Sequence, residues 1–412
     1  MKVGLQPILN DSHLDANQSS SQRQLSISVA TITDNGEERL PLNLCLVLDR
    51  SGSMHGQPMK TVKQAAIDLI EKLTPRDRLS VVVFDHRAKV IIPNQTVEDI
   101  EQIKKQINRL KADGGTAIDE GLRLGMEETA KGKRDTSSQI FLLTDGENEH
   151  GDNPTCLKLA KLASEYSITL NTLGFGKHWN QDVLENISDT AGGTLSYIEK
   201  PEQATDEFGR LFKRVQSVGL TNAHLLLELI PDVRLAELKP IAQVAPETIE
   251  LPVTQEGEKF VVRLGDLMKE ERTILANLYI GQLSPGEQLI ANLQVRYDDP
   301  ALGKEGLLSE NIPISVEIQQ AYTPEPNEQV QKSILALAKY RQTQIAESKL
   351  HQGDRAGAAT MLQTAAKTAL QLGDSNAATV LQKSATQLQS GQELSESDRK
   401  KTRIVSKTIL QE

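Results

Sequence analysis

Aromatic side chains make up only 3% of the chain, with a single tryptophan. A hydrophobic core must therefore be assembled from Leu, Ile, Val and Ala, and the 38% apolar content allows one. Cysteine is nearly absent as well. Cys45 lies in an apolar strand pattern and Cys156 at the start of a helical one. They lack metal-ligand spacing, cannot form a disulfide framework, and read as two buried thiols. No stretch reaches the roughly 18 to 20 apolar residues that cross a bilayer. The amino-terminal MKVGLQPILNDSHLDANQSSSQRQ holds no apolar run of the length a secretory signal needs. The expectation is a cytoplasmic protein without a membrane span. Basic residues are in deficit, 46 against 56 acidic for a net charge of −10, which opposes contact with phosphate backbones and argues against nucleic acid. Two motifs are also missing: a GxxxxGK[ST] phosphate loop and a DxDxDG calcium loop.

At 412 residues the chain exceeds what one core usually organises, so two or three domains are expected. From residue 41 to 215, apolar runs alternate with helical patterns. LNLCLVLD, LSVVVFD, QIFLLTD and TLNTLGFG read as buried strands; MKTVKQAAIDLIEKL, VEDIEQIKKQINRL, AIDEGLRLGMEETA and PTCLKLAKLASEY read as helices. This is the signature of a doubly wound α/β domain with a mainly parallel sheet. Residues 216–322 change to alternating segments such as AHLLLELI, KFVVRLGDL and QLIANLQVRY, which predict an antiparallel β-sandwich. Residues 1–40 contain one more such segment, QLSISVATIT, with no local partner. It is expected to join the later sandwich, so that the α/β domain is inserted within one β domain. Residues 323–412 follow the linker AYTPEPNEQ and are rich in helix formers. GDRAGAATMLQTAAKTA and GDSNAATVLQKSATQL echo each other, with Gly353/Asp354 and Gly373/Asp374 as stop and start signals. An antiparallel helical bundle is expected, with a peptide-binding hairpin array as the alternative.

The chemistry concentrates where strands end. LVLDRSGSM leaves a strand with Asp49, Ser51 and Ser53 at alternate positions; DGGTAIDEG places Thr116 after two glycines at the mouth of a helix; FLLTDGENEHGD ends another strand at Asp145. In open α/β sheets ligands settle beyond this carboxyl edge. Two carboxylates and three hydroxyls form a hard, all-oxygen set suited to one Mg²⁺ or Ca²⁺, with Mn²⁺ possible, and unsuited to Zn²⁺ or Cu²⁺. The two acids roughly cancel the cation's charge, leaving a position that a partner's Asp or Glu can fill. Nearby, Glu147, Glu149, His150 and Asp152 read as a solvated acidic loop, His55 as an exposed loop histidine, and Trp179, beside His178, as a packed ring or an exposed partner anchor.

Taken together, DRSGS, GGT and LLTDG closely resemble the metal-ion-dependent adhesion site of von Willebrand factor type A domains, over about residues 41 to 215. The resemblance implies that Ser51, Ser53 and Thr116 coordinate the ion directly or through water, while Asp49 and Asp145 act largely through water. The insertion into a sandwich is similar to prokaryotic relatives of inter-alpha-trypsin inhibitor heavy chains and calcium-activated chloride channel regulators. The function implied is a non-enzymatic, metal-dependent protein-protein interaction module that binds a carboxylate on a protein partner. A calcium-responsive switch using the same site is the alternative. A phosphoryl-transfer enzyme of the haloacid dehalogenase kind would need a second Asp two residues after Asp49, where the chain has Ser51. The acidic linker residues Glu325 and Glu328 are candidates for an internal ligand of the open position.

Overall fold

The computed structural model describes residues 1–32 and 39–407. Alternating apolar and polar residues carry the amino-terminal segment into β1 (Lys2–Leu9), β2 (His13–Asp15) and β3 (Ser20–Ile32). β3 is the QLSISVATIT strand, whose last residue, Thr33, lies outside the described residues. It does have a local partner, contrary to the sequence reading: β1 pairs with it antiparallel, Pro7 opposite Ile27. The missed strand contains Pro7 and lies at a sheet edge, where a residue without an N–H is tolerated.

The α/β domain runs through β4 (Leu42–Asp49), α1 (Gln57–Ile70), β5 (Arg78–Phe84), β6 (Ala88–Thr96), α2 (Ile100–Asn108), α3 (Ile118–Lys131), β7 (Ser137–Thr144), α4 (Asn153–Glu165), β8 (Thr169–Phe175), α5 (Gln181–Thr190), β9 (Leu195–Ile198) and α6 (Ala204–Gln216). The sheet order is β6-β5-β4-β7-β8-β9, parallel except for β6. Every residue of β4 and β7 is buried, because helices cover both faces. Leu42, Leu44, Leu46 and Leu48 pack toward α1 and α6, while Cys45 and Val47 pack toward α3, α4 and α5. The two cysteines are buried free thiols, and burial pushes both up to about 12.

The chain then returns through β10 (Val218–Leu229), β11 (Val233–Leu235), β12 (Ile241–Ala245), β13 (Ile249–Glu250), β14 (Val253–Glu256), β15 (Lys259–Met268), β16 (Arg272–Gly281), β17 (Gly286–Asp299), β18 (Lys304–Leu308) and β19 (Ile312–Gln319). β3 pairs with β16, Ile27 opposite Ile274, and β2 pairs with β19. Both sheets of the sandwich thus contain a strand that precedes the α/β domain. A buried joint fastens the two units. The Asp266 carboxylate of β15 accepts hydrogen bonds from Gln139 of β7 (2.6 Å) and Thr169 of β8 (2.8 Å), and Arg263 donates to the Ser164 carbonyl (2.9 Å). This joint grips the strand ends opposite the carboxyl edge.

The helical region comprises α7 (Glu328–His351), α8 (Arg355–Gln371), α9 (Ser375–Gln389) and α10 (Glu396–Lys407). Gly353 and Gly373 end their helices at φ 81° and 79°, conformations that favour glycine. Asp354 and Asp374 then cap the next helices by accepting from Gly357 and Ala377. Alanines keep α8 and α9 close, with Leu362, Leu381 and Leu388 filling between them. α7 also packs Val330, Leu337 and Tyr340 onto Ala242, Val244 and Leu275 of the sandwich.

One charge ties this bundle together. The Lys339 ammonium is buried and donates to Asp374 (3.1 Å) and to the Val405 carbonyl (2.9 Å). Removing one member of a buried pair strands the other, which costs about 3–5 kcal/mol. Lys339→Ala should therefore lower helical-domain stability by about that amount, and Lys339→Met, which refills the volume, by less. Urea unfolding followed by circular dichroism checks this; equal loss in both variants would contradict the charge argument.

Candidate metal centre

β4 ends at Asp49, whose side chain is fully buried. One carboxylate oxygen accepts from the Ser51 N–H (2.7 Å) and the other from the Thr144 hydroxyl at the end of β7 (2.6 Å). Two backbone bonds then lace the following turn to the loop before α3. The Gly52 N–H donates to the Gly114 carbonyl (2.8 Å), and the Asp113 N–H donates to the Arg50 carbonyl (2.7 Å). Gly114 has φ +85°, and a Cβ there would meet the His86 ring at 2.6 Å, so glycine is required on both counts. This lacing brings Thr116 to the strand ends.

Across the gap, Asp145 accepts from Ser53 at 2.7 Å and from Ser51 at 3.4 Å, and the two serine hydroxyls lie 3.0 Å apart. Gly146 has no side chain where a Cβ would sit 3.2 Å from Thr116 Oγ1. The structure therefore brings all five sequence-predicted residues, Asp49, Ser51, Ser53, Thr116 and Asp145, to one rim. Ser53 is exposed while Asp49, Ser51 and Thr116 are buried, so the cluster opens to solvent on one side only.

The electrostatics are those of an anion pair. Burial pushes Asp49 up to about 6, reinforced by the negative charge of Asp145 and opposed by the hydrogen bonds from Thr144 and Ser51. Burial also raises Asp145, against the hydrogen bonds from Ser53 and Ser51 and the field of His178. The neighbouring guanidinium of Arg50 pairs with Asp85 instead. Two carboxylates held together with hydroxyls, beside a wall kept clear by a glycine, fit a hard divalent cation. Such an ion would supply the positive charge that both acids lack.

Other predicted residues fall outside the cluster. Glu147, Glu149, His150 and Asp152 are exposed, and Asp152 caps α4 through Thr155 (3.1 Å). His55 and His178 are exposed. Trp179 is packed, only 2% exposed, with its indole N–H on the Gly176 carbonyl (3.0 Å) and its ring over the space left by Gly174. Glu325 lies at the sandwich, 3.4 Å from His13, and Glu328 opens α7. Sequence reasoning missed the positioning roles of Thr144 and of Asn148, whose side chain accepts from the Ile118 N–H at the start of α3 (2.7 Å). A polar residue next to each motif was the available signal.

Comparison with known proteins agrees with this fold. Residues 43–210 match the von Willebrand factor type A domain family, and residues 328–412 match the Sll0103-like, C-terminal alpha-helical domain family. The chain is 62% identical over 412 residues to the "Uncharacterized protein sll0103" of Synechocystis sp., covering 100% of this chain and 98% of that one. It is 25% identical over 194 residues to inter-alpha-trypsin inhibitor heavy chain H4 of Bos taurus, a match spanning 44% of this chain and 21% of that protein. A solved von Willebrand factor type A structure from Catenulispora acidiphila shares the fold with a TM-score of 0.83 at 18% identity, covering 99% of this chain and 97% of that one. No helix among the described residues is long and apolar enough to cross a membrane. The chain thus carries a von Willebrand factor type A domain inserted in a β-sandwich, and with its helical carboxyl-terminal domain it belongs to the family of the Synechocystis protein sll0103.

Proposed function

We propose that this chain is a non-enzymatic binding module in which Asp49, Ser51, Ser53, Thr116 and Asp145 hold one Mg²⁺ or Ca²⁺ that receives a carboxylate from a protein partner. The observation that carries the reading is the clustering of Ser51, Ser53 and Asp145 within 2.7 to 3.4 Å at a rim open on one side. Asp49 stands behind them with both oxygens already engaged. An ion bound there would present its open side outward, toward a partner. A cytoplasmic setting belongs to the same proposal, supported by two free thiols buried in the core.

Calorimetric titration of Mg²⁺, Ca²⁺ and Mn²⁺ into chelator-stripped protein should show one site, lost in Asp49→Ala and in Ser51→Ala/Ser53→Ala. Well-folded wild-type protein that binds none of the three would refute the proposal. A strong preference for Ca²⁺ over Mg²⁺ would instead favour calcium sensing.

The raised acid gives a second expectation. Folded Asp49 titrates near 6 against a usual 3.8, so without metal its contribution is most favourable below pH about 4 and is lost as pH rises through about 6. Asp49→Asn should therefore stabilise the chelator-treated protein at pH 7 by about 1 kcal/mol or more, since each pKa unit is worth about 1.4 kcal/mol. Metal binding needs the carboxylate, so the rise in Tm with Mg²⁺ should be larger at pH 8 than at pH 5. Thermal melts at the two pH values check both signs.

A further inference from the structure

Of the α10 cations that reach the α/β domain, Lys400 is used differently from the rest. Lys401, Arg403 and Lys407 meet the carboxylates of Glu199, Asp182, Glu185 and Asp189. The Lys400 ammonium donates instead to two backbone oxygens, the carbonyls of Lys177 and of Trp179 (2.8 Å to the latter). It also lies 4.2 Å from the centre of the Trp179 ring. Lys400 is only 6% exposed, so the two bonds and the ring face must offset the water its charge has lost. A carboxylate partner fixes the end of a flexible side chain, whereas a pair of carbonyl partners fixes the path of the main chain.

The path so fixed borders the metal rim. β7 and β8 run parallel with Thr144 opposite Gly174, so Asp145 and Phe175 leave the sheet side by side. The turn from Gly176 to Trp179 therefore starts next to Asp145. Its carbonyls are engaged, that of Gly176 by the Trp179 indole (3.0 Å) and those of Lys177 and Trp179 by Lys400. Between the two carbonyls that Lys400 holds stands His178, which is exposed and whose field reaches Asp145. Glu147, two residues beyond Asp145, lines one cleft together with Trp179 and Lys400, and its charge acts on the ammonium. One side chain of the helical domain thus binds the loop after β8 and faces the loop after β7.

We infer that Lys400 is a positioning residue of the metal centre, which sets the loop after β8 against the loop carrying Asp145 and so shapes the rim before an ion arrives. The inference rests on the function proposed above and gives the helical domain a part in it. Without Lys400 the loop would have to be ordered as the ion binds, and that ordering weakens binding. Coupling of this kind is reciprocal: whatever Lys400 adds to the affinity for the ion, the ion adds to the hold of α10 on the loop.

The test uses the full-length protein and Mg²⁺ alone. By calorimetry, Lys400→Met should bind Mg²⁺ about fivefold or more weakly than wild type, within the usual span of coupled sites. Lys400→Arg keeps donors and a cation for the ring and should recover most of that loss. Lys401→Met, which breaks only the half-exposed pair with Glu199, should bind as wild type does. In wild type itself, saturating Mg²⁺ should slow amide hydrogen exchange about fivefold in the turn from Gly176 to Trp179 and in α10 around Lys400. A folded Lys400→Met that binds Mg²⁺ within about twofold of wild type would overturn the positioning role and leave the metal reading intact. A loss that Lys401→Met shares, or that Lys400→Arg does not recover, would overturn it as well, by assigning the effect to the stability of α10. If Lys400→Met does not fold, the wild-type exchange decides, and rates in α10 unchanged by bound Mg²⁺ overturn the inference. Folded wild type that binds no ion would remove the metal reading and this inference with it.

Discussion

A strand covered on both faces has only its ends available for chemistry, and β4 is such a strand. Its leucines face α1 and α6 while Cys45 and Val47 face the opposite helices, so no side chain between Leu42 and Leu48 reaches solvent. Its neighbours β5 and β7 run parallel to it, which stacks all three carboxyl ends at one edge. The chain leaves β4 toward one side of the sheet and β7 continues on the other. At that reversal the polar residues of the turns face one another instead of a helix. Asp49, Thr116 and Asp145 are neighbours because the sheet leaves nowhere else for these loops to go.

Buried charge is handled differently at each level of the molecule. Asp266 is surrounded by donors from the α/β domain and by the guanidinium groups of Arg263 and Arg272, so it acts as a fastening. Lys339 has Asp374 and a carbonyl, and it holds a bundle together. At the rim two carboxylates face each other with only hydroxyls and N–H groups between them. The first two arrangements are internally satisfied; the third is short of positive charge. That contrast separates the rim from the structural ion pairs more sharply than burial alone.

The central strands were legible because their apolar runs are continuous, and the five rim residues because each lies in a short motif whose geometry is local. β6 was not recognised: Pro93 and polar residues interrupt it, and its register against β5 is irregular. α5 was missed behind the loop that carries His178 and Trp179. α6 was missed although Phe208, Leu211, Phe212 and Val215 mark one face. The role of α10 could not have been read at all. ESDRKKTRIVSK looks like a solvated charged helix, and only the fold reveals that Lys401, Arg403 and Lys407 meet Glu199, Asp182, Glu185 and Asp189. These contacts are non-local, with Lys400 and the Trp179 carbonyl it bonds 221 positions apart.

That separation has a meaning in time. Lys400 reaches back 223 residues to Lys177 and Lys407 reaches back 218 to Asp189. A ribosome adds roughly 5–20 residues each second, so on the order of ten seconds or more pass between the emergence of the α/β domain and that of α10. Throughout that interval the rim loop stands unclasped. On the nascent chain the segment from Lys177 to Trp179 therefore precedes the helix that holds it by that interval. The contact that α10 makes with that loop closes only when translation has reached the last helix.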